Sequence, residues 1–289
     1  MKLLINADDA GMDPARNQGI FESMEHGVLR NMSVIVAQAG WEDIAQRVKG
    51  QWGQGQGGKG QMGVGLHFNL TAGKPLVKGH KTLVRGDGSF LDKTEIYRRA
   101  ILGQIDTREA AKELTAQLKM FKEIGIKSSH LDGHNHVHIL PGVREAVAQV
   151  MPKGLWVRIP WERNEPAVAP QSENTSALSH DVFRFIRGIN YCATEALKLW
   201  RGHFRYVDDF SGTKATWDVT LSNFKKAVKQ LKGQVCELMC HPGGEPDRFS
   251  GPFSKLKERQ LEHDVLVSNE FKKFLMRSCV VSVSFGDIL

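Results

Sequence analysis

The sequence predicts an α/β protein: a single-domain, distorted (β/α) barrel of roughly seven or eight mostly parallel strands. Three observations carry that expectation. Apolar runs of strand length alternate with amphipathic helical stretches along the whole chain, the pattern of a parallel sheet with helical crossovers. The chain has 289 residues, a length that a barrel routinely uses as one unit. The residues able to do chemistry fall where apolar runs end, and barrel enzymes build their sites at that C-terminal face.

Taken in order, Leu3 to Ala7 reads as a buried strand, followed by a helix from about Pro14 to His26 with proline in its first turn. Met32–Ala37 and Trp41–Val48 form the next strand and helix. A Gly/Gln tract at about 50–61 holds too little apolar surface to offset its ordering entropy and reads as a mobile surface loop. Met62–Asn69 is a strand. The segment at about 71–105 reads as irregular, with a Gly86-Asp87-Gly88 turn before Phe90, and is a candidate lid. A charged helix spans Thr107–Ile124, an extended stretch Ser128–His138, and a short helix begins after Pro141 and Gly142. Beyond it lie a strand at Trp156–Ile159, a loop at 161–178 and a helix from Asp181 to Trp200. Strands near Phe204–Val207, Val235–Cys240 and Val280–Phe285 then alternate with helices near 218–231 and 256–276.

Composition excludes several classes. With 41% hydrophobic and 25% charged residues the chain is neither disordered nor fibrous. No run approaches the roughly 18 apolar residues of a membrane span. The N-terminus, with one basic residue and an apolar run of only three, Leu3-Leu4-Ile5, before Asp8, does not read as a targeting segment. The four cysteines lack a framework spacing; Cys236 and Cys240 read as buried thiols, and a cytoplasmic setting is expected. The charge excess of +7 is spread over helical segments, Lys225-Lys226, Lys255-Lys257-Arg259 and Lys272-Lys273 among them, without an aromatic stacking motif, so no nucleic-acid partner is expected.

The histidines are more informative than the charge. Asp8 and Asp9 close the first apolar run, His67 closes another, and His241 follows Leu238-Met239-Cys240. Between them lie His130, Asp132, His134, His136 and His138, all even-numbered, which an extended chain would point to one side. On a strand His134 and His138 would stand about 13 Å apart, too far for one ion with bonds of about 2.0–2.1 Å. An early helix would instead bring those two together. Adjacent carboxylates repel unless a cation takes one of them, so a metal on Asp9 would leave Asp8 free as a base.

The segments Asn6-Ala7-Asp8-Asp9-x-Gly11, Gly65-Leu66-His67-Phe68-Asn69-Leu70-Thr71, Gly73-Lys74-Pro75-Leu76, His130 to His138 and His241-Pro242-Gly243 resemble the YdjC-like carbohydrate deacetylases, a family that includes chitooligosaccharide deacetylases. The five motifs run in order from residue 6 to 243. The resemblance implies a distorted (β/α) barrel, one divalent cation (Mg2+ or Zn2+) and hydrolysis of an N-acetyl group on a sugar or oligosaccharide. It implies Asp9, His67 and His134 as metal ligands, Asp8 as general base and His241 as acid. Arg158, Asp132, His136 and His138 are candidates for orienting those groups or touching substrate. The chain departs from the family pattern at Ala10, where an aromatic is usual, at Asn31-Met32, where Thr-Ser is usual, and at the Gly/Gln tract. A non-catalytic sugar-binding barrel and an amidohydrolase- or phosphoesterase-type metal hydrolase are the rival readings. No membrane partner is expected, and a homo-oligomer is left open.

Overall fold

A computed structural model describes residues 1–48, 62–163, 176–212, 219–244 and 256–288. Among these residues there are eight strands: β1 (Lys2–Ala10), β2 (Asn31–Val34), β3 (Gly63–Phe68), β4 (His130–Gly133), β5 (Trp156–Val157), β6 (Asp209–Ser211), β7 (Val235–Cys240) and β8 (Val281–Ser282). Nine helices accompany them among the described residues: α1 (Pro14–Glu25), α2 (Trp41–Arg47), α3 (Lys93–Ile101), α4 (Thr107–Glu123), α5 (Val143–Val150), α6 (Ser176–Trp200), α7 (Leu221–Gln230), α8 (Leu256–Val267) and α9 (Asn269–Arg277). All pairings between named strands are parallel, in the order β5-β4-β3-β2-β1-β7-β6, with β8 on β1. The two edges meet where Arg205, just before β6, bridges Trp156 of β5. Val157 N–H donates to the Arg205 carbonyl at 3.0 Å, and Arg205 N–H to the Leu155 carbonyl at 2.9 Å. The sheet therefore curls into a distorted barrel closed by a single bridge.

Strand alternation sorts the side chains of β1. Leu3, Ile5 and Ala7 join the main apolar core, whereas Leu4 joins a smaller cluster with Phe285 and Ile288. Trp156, Val207, Val235 and Val283 pack against that cluster. Above it in β1 stand Asn6 and then Asp8. Along β1 the interior thus changes from apolar to polar in the strand direction.

β8 occupies the start of β1 (Lys2↔Val281, Leu3↔Ser282), while β2 pairs only from Asn6 onward. The fully buried Asn31 fills the gap between them. Its Nδ2 donates to the Ile5 and Val283 carbonyls at 3.2 and 2.9 Å, and its Oδ1 accepts Phe285 N–H at 2.9 Å. The departure at residue 31 therefore serves the sheet.

Two expectations require correction. The segment at 71–105 is not irregular throughout, because Asp92 caps α3 by accepting Glu95 N–H. The residues before it are fastened to α4. The fully buried Glu113 accepts the N–H groups of Leu76 and Val77 and pairs with His80, and Glu109 accepts those of Lys81 and Thr82. The stretch Ser128–His138 is not one strand. β4 stops at Gly133, and His134–Ile139 forms a 3-10 segment with Asn135 and His136 in left-handed conformation (φ 54° and 56°). The even-numbered histidines therefore do not share a face. The Gly/Gln tract and residues 164–175 lie outside the described residues.

Asn31→Ala leaves the Phe285 N–H and the Val283 carbonyl without their partner. A loss of about 2–3 kcal/mol is expected, read as a lower urea midpoint at unchanged m-value.

Candidate active site

The site begins with an irregularity in β1. Ala7 pairs with Met32 but Ala10 with Val34, so β1 carries one extra residue, and Asp9 within it has a left-handed φ of 67°. In a regular strand Asp8 and Asp9 would face opposite sides of the sheet; a bulge re-aims a side chain. Both carboxylates therefore approach one imidazole, with His67 Nε2 3.4 Å from Asp9 Oδ1 and 3.9 Å from Asp8 Oδ2. Gly11, with φ 85°, turns the chain immediately afterwards, and a Cβ there would stand 2.4 Å from the Ile35 carbonyl oxygen.

His67 is 1% exposed at the end of β3. Its Nδ1 bonds Asp132 Oδ1 at 2.7 Å, which leaves Nε2 directed toward the aspartate pair. Asp132 accepts in turn from Ser33 Oγ at 2.6 Å. His134, the first residue after β4, bonds Asp9 Oδ1 through Nδ1 at 2.8 Å. Ligand atoms of Asp9, His67 and His134 lie within 4.8 Å of one another, as do those of Asp8, His67 and Asp132.

Arg158 follows β5 and is 3% exposed. It donates to both oxygens of Asp8 at 2.6 and 2.7 Å and through Nε to Glu237 at 2.8 Å, and its Nη2 forms an ion pair with Asp132 Oδ2 at 2.8 Å. Its charge sets the local electrostatics. Burial favours a neutral Asp132, but Arg158 and His67 outweigh it and hold the carboxyl far below the usual carboxylate range. For Glu237 burial prevails over Arg158 and lifts the carboxyl to about 7. Burial likewise opposes the charge on Asp9, yet His134 and Arg259 bring it well below the usual range. Burial lowers the basicity of His67, but Asp132 and Asp8 more than reverse this and raise it to about 10. Four carboxylates thus surround two guanidiniums, and the raised basicity of His67 registers that excess of negative charge.

A divalent cation would fit beside His67 Nε2, where it would take the place of the imidazole proton. Two atoms about 2.1 Å from a shared tetrahedral ion stand about 3.4 Å apart, the separation of His67 Nε2 and Asp9 Oδ1. A histidine whose other nitrogen is held by a carboxylate is the usual form of a metal-binding imidazole.

The other sequence candidates are dispersed. His138 Nε2 donates to the Arg158 carbonyl at 2.9 Å, and its ring stacks on Trp200. His136 stands edge-on to Phe210, with a 6.2 Å centroid separation. His130 lies deeper in the barrel, stacked 4.0 Å from Phe285 and bonded to Ser33 Oγ and Ser129 Oγ. A Cβ at Gly65 would meet its ring at 2.4 Å. His241 follows β7 beside β1, where Cys240 pairs with Ala7.

A family model described as YdjC-like protein matches residues 2–277. The chain belongs to the YdjC-like family. Curated carbohydrate deacetylases align along the chain: that of Xenopus laevis is 28% identical, covering 100% of this chain and 98% of the relative, and that of Homo sapiens 30%, covering 89% and 83%. The carbohydrate deacetylase of Clostridium beijerinckii is 26% identical over the full length of both chains. A solved structure from Enterococcus faecalis V583, of a protein assigned to cellobiose-phosphate cleavage, superposes with a TM-score of 0.71. It is 19% identical and covers 99% of this chain and 98% of that one, so it shows the shared fold. The YdjC-like chain is a hydrolase of the amide-cleaving deacetylase kind.

Sequence reasoning missed three charged groups of this YdjC-like site. Glu237 interrupts the apolar β7, and a carboxylate inside a buried strand was the signal for it. Arg259, grouped above with the basic helix surface, is buried and donates to Asp9 Oδ2 at 2.6 Å. Glu262, also on α8, is buried beside His241.

Arg158→Met would strand three buried carboxylates, and a loss of at least about 3–5 kcal/mol is expected by equilibrium unfolding. A pH effect comes from His130 and His138, both lowered to about 4, chiefly by burial. The unfolded chain binds those protons near pH 6.5, so stability is full above that value and falls as pH drops toward 4. Urea midpoints at pH 7 and pH 5 should show the fall, and His130→Gln should make it smaller.

Proposed function

We propose that the protein is a metal-dependent N-deacetylase acting on acetamido sugars or oligosaccharides, with Asp9, His67 and His134 as the ligands of one divalent cation. The observation that carries this reading is the convergence of those donors in a buried, carboxylate-rich pocket. The full-length carbohydrate deacetylase relatives supply the substrate class. Two imidazoles favour zinc and related transition ions, while a solvated, oxygen-rich remainder accommodates magnesium.

When bound, such an ion polarises the acetyl carbonyl and acidifies a water molecule. The residues of the chain do the rest. Asp8 accepts bonds from Asn6 at 2.9 Å and from Arg158 at 2.6 and 2.7 Å. A carboxylate has about four lone-pair sites, which leaves room for about one water proton. Arg158 fixes the plane of that carboxylate, so Asp8 removes the proton as general base without reorienting. Asp132 keeps His67 Nδ1 engaged. His241, at the end of β7, donates a proton to the amine nitrogen as the carbon–nitrogen bond breaks.

Acetate release from a panel of N-acetylated mono- and oligosaccharides tests the reading. Turnover is expected, with abolition by chelator and recovery on adding back zinc or magnesium. Asp9→Asn should lose metal and activity together. Asp8→Asn should keep the metal and lose about 10²–10⁴-fold in kcat. Sugar binding without acetate release after metal add-back would overturn the assignment.

A further inference from the structure

Helix α8 meets the barrel mouth with two side chains one turn apart. Arg259 donates through Nη2 to Asp9 and approaches the His241 carbonyl through Nη1 at 3.4 Å. Glu262, 1% exposed, accepts the backbone N–H of His241 through Oε2. Its second oxygen, Oε1, stands 3.8 Å from His241 Nδ1, and that nitrogen is buried with no hydrogen-bond partner among the described residues. We propose that Glu262 is the positioning residue for His241: anchored to its main chain, the carboxylate holds Nδ1–H and presents Nε2 to the leaving amine.

The geometry suits that task. The bond to the backbone fixes the carboxylate relative to the ring it serves, so the remaining free coordinate is rotation of the imidazole. Closing a 3.8 Å gap to hydrogen-bond length needs only a small rotation, and catalytic contacts commonly tighten in the substrate complex. A carboxylate on Nδ1 fixes both the tautomer and the tilt of a histidine whose other nitrogen moves protons. This inference rests on His241 being the acid. In the step, protonated Nε2 gives its proton to the amine nitrogen of the tetrahedral intermediate. The carbon–nitrogen bond breaks with its electron pair remaining on nitrogen. His241 ends neutral, with its other proton on Nδ1 facing Glu262, which stays ionised throughout.

Glu262→Gln tests the role, because the amide oxygen can still accept the His241 N–H while the amide nitrogen opposes Nδ1–H. On N,N′-diacetylchitobiose, whose leaving amine needs a proton, kcat should fall roughly 10- to 100-fold, a share of the general-acid contribution, with KM within about twofold. On 4-nitrophenyl acetate, whose phenolate leaves without one, the rate should stay within about threefold of wild type. Parallel losses on both substrates, or no loss on either, would overturn the proposal. His241→Ala, assayed alongside, separates the two ideas: if it spares the amide, the reading of His241 as acid fails. If it abolishes amide cleavage while Glu262→Gln does not, only the role of Glu262 fails. A measurement independent of turnover is the 15N spectrum of histidine-labelled protein, assigned with His241→Ala. The Nδ1–H form of His241 is expected in wild type and its loss in Glu262→Gln; an unchanged tautomer would also overturn the proposal.

Discussion

The guanidinium of Arg158 is the constraint around which the rest of the site is arranged. It is buried where β5 ends and touches Asp8, Asp132 and Glu237, which arrive from β1, β4 and β7. Three carboxylates brought together in a protein interior repel and lose hydration, so without a shared cation they would take up protons or open the barrel. Arginine suits this position because its planar fork supplies five donors and retains its charge when buried. The same bonds tie together strands on opposite sides of the barrel. Since among the described residues the β5–β6 edges meet at the isolated Trp156–Arg205 bridge, this ionic crosslink inside the mouth complements a weak closure of the sheet. His138 extends it by binding the Arg158 carbonyl, and Trp200 packs on His138 in turn.

A second constraint is backbone geometry that ordinary residues avoid. Asp9 at φ 67° and His136 at φ 56° are both non-glycine residues in left-handed conformation, one in the β1 bulge and one just beyond β4. Such conformations cost of order 1–3 kcal/mol each and persist where surrounding contacts fix them. For Asp9 those contacts are visible: one oxygen bonds His134, and the other bonds Arg259. The strain turns two adjacent carboxylates to the same pocket, an arrangement a regular strand cannot give. Asp8 is then held by a guanidinium and Asp9 by a histidine and a helix from elsewhere in the chain, so two neighbouring residues of one type occupy different electrostatic environments.

Much of this was legible in sequence because strand ends are legible. Asp8, Asp9, His67 and His241 each close or follow an apolar run, and parallel topology alone brings such positions to one mouth. Arg158 was legible only through the resemblance, since in sequence its strand reads as running on to Ile159. The His130–His138 segment was legible as a cluster but not as a shape. Parity assigns alternate residues to one face only while the backbone stays extended, and Gly133 followed by two left-handed residues ends that condition. Glu237 left a trace as a charge inside a buried strand. Arg259 and Glu262 left none that periodicity detects, since a helix bearing Lys257, Glu258, Arg259 and Glu262 reads as a solvated face. Only the docking of that helix against α1 and the residue after β7 makes two of those charges internal.

The placement of α8 also joins distant parts of the chain at the mouth of the barrel. Arg259 links the helix to Asp9 in β1, and Glu262 links it to the main chain after β7. Those two strands are neighbours, paired from Lys2–Val235 to Ala7–Cys240, so one helical turn spans the seam between the aspartate pair and His241. Gly19 of α1 lies directly under the same loop, where a Cβ would stand 2.3 Å from the Gly243 carbonyl carbon. The His241-Pro242-Gly243 segment is therefore held from below by a helix without a side chain at the contact, and from the side by two opposite charges. A proton donor must keep its distance from the leaving group to a fraction of an ångström, and loops rarely offer that alone. Here the His241 backbone is met at both of its polar groups, its N–H by Glu262 and its carbonyl by Arg259, so the helix beside it holds the first residue after β7 in place.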